Sequence, residues 1–406
     1  MKPLIVYIGS FSFPKGDAVG KRAYGLGLTF RASGYDVAFI GENKEVPYNA
    51  ISQDYEYDGF TFCNLRKPSG AIEHYRYINE LKLVKRRILL WKNKRQIAAV
   101  VFCGTRCSLF ANGLVNFCKK NNIKVISDSM DWLTWHTGNI VFDIIKNADV
   151  GFELKYVNMR TDGVICISKY LSNYYSERGK KTVIIPPVSI YSKIANNRMA
   201  QTGIITFVYA GFPCRMDRKL KDPSEAKDRL DCAIELLYKA HQEGYNYKFR
   251  IIGPSLEQYL IAFPEQSSML SELYKTGKIV FEGKQNEDYV CNAIMDADYV
   301  LVLRDRNRAT MAGFSTKIAE SIALGTPVIT TDTSDIKNYL SDDVCYFIDL
   351  HNLSEAGEIL RRILSSDVTK RAREKVLCLK NDSFEPEKYT EAFKSFIKRC
   401  ENEDKI

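Results

Sequence analysis

Short apolar runs separated by helix-length stretches recur through both halves of this 406-residue chain. In the first half they fall at 4–9, 36–41, 97–103, 124–127, 163–168 and 182–187. In the second they fall at 204–209, 248–252, 278–281, 299–303 and 328–330. Runs of this length, spaced by helices, are strands of a parallel sheet, because parallel neighbours need a crossover of a dozen or more residues. Their near-continuous apolar character means that both faces of the sheet are covered. The strand at 4–9, the helix at 20–33, the Gly34-Tyr35 turn and the strand at 36–41 make one right-handed crossover unit. A polar stretch over 191–203 interrupts the rhythm. The expected architecture is α/β: two doubly wound parallel-sheet, Rossmann-like domains, 1–190 and 204–383, joined by a linker at 191–203. Their strand ends would face a cleft, the default ligand site of such folds. The end of the chain, 384–406, carries a helical apolar stripe of Tyr389, Ala392, Phe393, Phe396 and Ile397.

The 45% apolar content supports cores for two domains. The eleven cysteines are odd in number and scattered, with neither zinc spacing nor a disulfide framework, so reduced thiols in a cytoplasmic protein are expected. The apolar run at 4–8 is too short for a signal-peptide core, and no window approaches eighteen apolar residues. Charge is uneven. Residues 1–203 carry a net +13 and residues 204–406 a net −4. That asymmetry points to an anionic partner for the first half. The tract Lys82, Lys85, Arg86, Arg87, Lys92, Lys94 and Arg95 is interleaved with Leu81, Val84, Ile88 and Trp91 at helical spacing. It reads either as an interfacial helix on an anionic membrane or as a core helix with a charged exterior. No recognition motif accompanies the charge, so nucleic acid is not expected.

The most informative segment is Gly313-Phe314-Ser315-Thr316-Lys317-Ile318-Ala319-Glu320, which continues to Gly325-Thr326-Pro327. It reads as a loop, a helix capped by Ser315 or Thr316, a glycine stop and a strand. A loop that opens a helix at the carboxyl end of a parallel strand is an anion site, since backbone N–H groups and the helix dipole converge there. Glu320, one turn inside, can accept hydrogen bonds from a sugar diol. The same segment also satisfies the ordinary needs of a helix-to-strand connection.

This segment resembles the donor-binding signature of the retaining glycosyltransferases of the GT-B fold, family four. In that family the loop and helix carry two glutamates separated by seven residues. The second corresponds to Glu320; the position of the first holds Ala312. The resemblance covers most of the chain, including 162–171 and 183–187, where the first domain of such enzymes ends. It implies a nucleotide-diphosphate sugar donor, UDP- or GDP-linked, and no metal. It implies a diphosphate bound by Gly313, Phe314, Ser315, Thr316 and Lys317, and by an arginine and a lysine after the strand at 204–209. Arg215 and Lys221 match that spacing, with Lys219 a rival. Gly16 and Asp17, in Pro14-Lys15-Gly16-Asp17-Ala18, occupy the position of the phosphate-approaching glycine loop. The three spaced glycines of a dinucleotide fold are absent, which argues against a nicotinamide or flavin enzyme.

Asp128 and Asp131 follow the strand at 124–127, where similar enzymes keep a polar residue near sugar or acceptor. Either can accept the acceptor's proton, with His136 a third choice, and helix capping by Asp128 is the alternative. Ser168 reads as a helix cap rather than a nucleophile. Asp296-Ala297-Asp298 has the form of a metal-binding acid pair but lies at a helix-to-strand junction. Arg304 and Arg306 are candidates for the space that Ala312 leaves. Two functions follow. The first is a retaining, metal-independent glycosyltransferase of polysaccharide or lipid-linked saccharide synthesis, peripheral at the inner membrane face. The second is an inactive relative that binds nucleotide sugar or serves as a partner subunit.

Overall fold

The structure is a computed structural model and describes residues 2–14, 16–69, 71–135, 139–191 and 203–401. Lys15, His136 and nearly all of the expected linker lie outside them. The chain divides into two compact units: residues 1–190 with Ala312–Phe314 and the stretch from Glu385 onward, and Tyr191–Met311 with Ser315–Phe384.

The first unit is built on an eight-stranded sheet of β1 (Leu4–Gly9), β2 (Asp36–Asn43), β3 (Tyr55–Tyr57), β4 (Phe60–Arg66), β5 (Ile97–Cys103), β6 (Val125–Ser129), β7 (Gly163–Cys166) and β8 (Thr182–Ile184). Their spatial order is β3-β4-β2-β1-β5-β6-β7-β8. All pairs are parallel except β3 with β4, where Tyr55 faces Phe62 across an antiparallel hairpin. Asp58 and Gly59 both take positive φ, 47° and 72°, the conformation that an Asp-Gly two-residue hairpin turn requires.

Side chains alternate across β1 and sort the core into two layers. Ile5 and Tyr7 pack with the helices Ala18–Ala32 and Thr390–Glu401, where Phe393 stacks on Phe30 at 4.4 Å. Leu4, Val6 and Ile8 pack on the other face with Phe110 and Leu114 of helix Ser108–Lys120 and with helix Ala71–Lys92. From that last helix come Leu81, Val84, Ile88 and Trp91, all buried. The apolar stripe of the cationic tract therefore faces the core, as the reading of a core helix with a charged exterior expects. Several of its cations are held locally: Arg87 pairs with Asp54, Arg95 with Asp36, and Lys92 donates to the Asn121 carbonyl.

Helix Ile140–Phe152 behaves oppositely. None of its residues is buried, and Ile140, Val141, Ile144 and Ile145 are 75, 67, 64 and 50% exposed. Trp135 meets Phe142 edge-on beside it, and Phe152 stacks on Tyr156. Among the described residues no helix is long and apolar enough to cross a membrane.

The second unit holds a six-stranded, wholly parallel sheet of β9 (Ile205–Ala210), β10 (Tyr247–Ile252), β11 (Ile279–Gly283), β12 (Tyr299–Val302), β13 (Val328–Thr330) and β14 (Cys345–Phe347), ordered β11-β10-β9-β12-β13-β14. The order reverses between β9 and β12, which sets a topological switch point at their carboxyl ends. Asp298 locks the start of β12: it accepts from the Thr206 N–H at 2.8 Å and pairs with Arg371 at 2.9 Å. Its acid is structural.

Candidate functional site

Three glycines terminate the neighbouring strands β9, β10 and β11, of which β9 borders the switch point, with backbone angles that side chains avoid. Gly211, Gly253 and Gly283 have φ of +134°, +140° and +65°. The Gly211 N–H donates to the Ile252 carbonyl, and the Gly253 N–H to the Gly283 carbonyl. A Cβ on Gly253 would lie 2.2 Å from the Gly211 oxygen, and one on Gly211 would lie 2.6 Å from Lys317 Cε. Glycine is thus required for the β9 loop to approach helix Thr316–Ala323 closely.

That helix begins at Ser315, whose extended backbone (φ −77°, ψ 111°) is that of a cap, yet its side chain makes no cap bond. Ser315 is 3% exposed, and its Oγ has no partner among the described residues. A buried hydroxyl left unsatisfied at a helix start costs free energy on the order of 1–3 kcal/mol unless a ligand meets it. Lys317, in the first turn, sends its Nζ to Asp228 Oδ2 at 2.8 Å. Asp228 also accepts from Arg304 Nε at 2.7 Å and from the Tyr209 hydroxyl at 2.8 Å. Burial alone would raise the Asp228 pKa; Lys317 and then Arg304 outweigh it and hold the carboxyl well below the usual range. Tyr209 is pushed well up, by burial first and Asp228 second, and stays neutral. Two cations on one carboxylate leave one net positive charge at the sheet's carboxyl edge.

Glu320 lies one turn on, half-buried, and its charge acts on Tyr191, whose hydroxyl donates to Glu287 at 2.9 Å. Burial first, and then Glu320, pushes the Tyr191 phenol up. Arg304 is buried and committed to Asp228, so it does not reach toward a sugar; Arg306 is exposed. Arg215 is 68% exposed in its side chain and pairs with Asp217 in its own loop at 2.5 Å. Lys219 and Lys221 are exposed in the same loop. The helix therefore brings Ser315, Thr316, Lys317 and Glu320 together, while the two loop cations stand in solvent. Asp228, which organises the cluster, went unnoticed in the sequence because its partners lie 76 and 89 residues away.

Ala312, Gly313 and Phe314 belong to the first unit. Ala312 is fully buried, and its carbonyl accepts from Ser168 Oγ at 2.6 Å. Ser168 also caps helix Lys169–Ser176 by accepting from the Leu171 N–H. In the same unit Asp128, at the end of β6, is buried. Arg22 grips it through Nη2 to Oδ1 at 2.8 Å and Nε to Oδ2 at 3.2 Å, and the Tyr7 hydroxyl donates to Oδ2 at 2.7 Å. Arg22 Nη1 bonds the Ile185 and Pro186 carbonyls. This carboxylate ties β1, β6 and the chain after β8 together rather than capping a helix.

Asp131 is half-buried beyond β6, near a second acid, Glu153. Burial, opposed by a Thr105 hydrogen bond and reinforced by Asp149 and Asp131, pushes Glu153 up to about 7. Asp17 caps helix Ala18–Ala32 by accepting from the Gly20 N–H at 2.9 Å, and Gly16 is exposed before it.

Residues 229–380 match the family described as glycosyl transferase-like. Comparison by sequence with curated proteins returns no match. Among solved structures, a sucrose-phosphate synthase from Thermosynechococcus elongatus superposes with a TM-score of 0.65 at 15% identity, over 98% of this chain and 100% of its own. An α,α-trehalose-phosphate synthase (UDP-forming) from Burkholderia xenovorans, in complex with glucose-6-phosphate, gives 0.66 at 10% over 98% and 100%. An E. coli trehalose-6-phosphate structure bound with UDP-2-fluoro glucose gives 0.63 at 12% over 97% and 99%. At such identities the superpositions speak for the fold, and the matched segment spans most of the unit that carries the Ser315–Glu320 helix. Taken together, the chain has the GT-B fold, and its residues 229–380 are glycosyl transferase-like.

Proposed function

We propose that the protein transfers a sugar, with retention of anomeric configuration, from a UDP- or GDP-linked donor to a hydroxyl of a saccharide or lipid-linked saccharide. The donor pyrophosphate lies at the start of helix Thr316–Ala323, against Ser315 Oγ, Lys317 and the Gly211 loop. Glu320 holds the ribose diol. Arg215 and Lys221 swing in from their loop once the anion is present. The observation that carries this reading is the buried, unpartnered Ser315 hydroxyl beside a fixed net positive charge at a helix start. The anomeric C–O bond to the β-phosphate breaks as the acceptor oxygen bonds the same face, and the acceptor proton passes to the departing phosphate oxygen. Fixed cations stabilise the charge that grows on that phosphate, so neither a protein nucleophile nor a metal is needed. Asp131 is the remaining candidate to orient the acceptor, since Asp128 is buried and committed to Arg22 and Tyr7. Two structural neighbours of the same fold, one bound with UDP-2-fluoro glucose and one named UDP-forming, favour UDP.

One observation favours the inactive reading: the position that would carry a donor-contacting acid is Ala312, fully buried with its carbonyl engaged. A panel of UDP- and GDP-sugars, scored for binding and slow hydrolysis by the full chain, decides between them. Hydrolysis of one donor is the expected result; binding without turnover of any donor contradicts transfer and leaves the partner reading. Attachment to an anionic membrane belongs to the same proposal, carried by helix Ile140–Phe152 and not by the tract at 82–95. Its exposed branched side chains, flanked by Trp135 and Phe142 in a half of net +13, have the composition of a lipid-facing element.

A further inference from the structure

The carboxyl edge of the first sheet holds a groove of about 690 Å³, within the roughly 300–1,000 Å³ range of small-molecule clefts. It is framed by Phe13 after β1, Asn43 at the end of β2, and Phe62 and Asn64 on one face of β4. Tyr55 of β3 covers Phe62 with ring centroids 5.4 Å apart and remains 43% exposed. Asn64 is 4% exposed, and its Oδ1 has no partner among the described residues, although its backbone is fully engaged with Ser52. A buried amide oxygen left open at a groove floor asks for a donor from outside. Among the described residues the lining contains no lysine or arginine and a single acid, Glu45. That composition fits a neutral ligand rich in hydroxyl donors better than a phosphate-bearing one.

We propose that this groove binds a saccharide ring, its C–H face on Tyr55 and a hydroxyl donating to Asn64 Oδ1. An aromatic face is electron-rich and attracts the polarised C–H groups of a sugar, while amides pair with its hydroxyls. On the transferase reading, on which this assignment rests, the occupant is the acceptor, and residues 43–64 determine which acceptor is taken.

Ligand-observed NMR on the full chain, with disaccharides of glucose, galactose, mannose and N-acetylglucosamine as probes, tests the groove without any donor. One probe is expected to bind, and Tyr55→Ala and Asn64→Leu are expected to abolish its signal, while Tyr274→Ala, an exposed tyrosine of the other unit, leaves it intact. In transfer assays Tyr55→Ala should raise the acceptor KM about tenfold with donor hydrolysis unchanged. Failure of every probe to bind, or equal binding by wild type, Tyr55→Ala and Asn64→Leu, overturns the groove. Saccharide binding lost in Tyr55→Ala by a protein that hydrolyses no donor upholds the groove and overturns the transferase reading instead.

Discussion

Asp228 sits where three groups converge, and its charge rather than its shape is what they need. Asparagine in its place keeps the Tyr209 hydrogen bond but leaves Lys317 and Arg304 facing each other without compensation. Breaking such a buried pair costs about 3–5 kcal/mol, so Asp228→Asn should lower the melting temperature by several degrees and release Lys317 from the helix start. A calorimetric scan checks this; an unchanged transition would mean that the cluster is not a unit. Glu153 makes a pH prediction of opposite sense. Its pKa is raised from 4.5 to about 7, so the folded state binds a proton more tightly than the unfolded chain does. The stability that this contributes is full below about pH 4.5 and is lost as pH rises through about 7. Glu153→Gln, which keeps the side chain neutral, should therefore gain in melting temperature over wild type at pH 8 relative to pH 5. Equal differences at the two values would show that the acid is not held protonated.

At the scale of elements, periodicity disclosed what local pattern can disclose. The parallel strands and their crossovers follow from apolar runs because both faces of each sheet are covered. The β3–β4 hairpin escaped that reading because Tyr55-Glu56-Tyr57 is an exposed edge strand with little apolar content. Its sequence mark was the Asp58-Gly59 turn. The stripe of Leu81, Val84, Ile88 and Trp91 was legible as a helix face, but periodicity cannot say whether the other side of that face is protein or lipid. Burial decides it, in favour of the core. Helix Ile140–Phe152 leads to the converse prediction. If it meets lipid, Ile144→Glu with Ile145→Glu should abolish co-flotation with vesicles containing about a third anionic lipid while leaving the melting temperature in place, since neither residue is buried. Unchanged flotation would assign that face to another partner.

Across the whole molecule, the pairs hardest to read in sequence are those that join distant segments. Arg22 and Asp128 are separated by 106 positions, and Lys317 and Asp228 by 89, so no window contains either pair. What a window does contain, the Ser315-Thr316-Lys317-Ile318-Ala319-Glu320 run, sufficed to single out the helix. Arg215 and Lys221, chosen by spacing, lie in an exposed loop. Folding thus concentrates charge in two ways: one set of ion pairs knits each sheet's layers, and one cation is held with its neighbours at the start of a helix where a buried hydroxyl stays open.

Titration of the full-length protein with UDP and with GDP, beside Lys317→Ala, addresses that helix start directly. The variant leaves Asp228 paired with Arg304, so its fold should persist, and its affinity for whichever nucleotide binds the wild type should fall about tenfold or more. Equal affinity in wild type and variant, with both proteins folded, would mean that no pyrophosphate rests there.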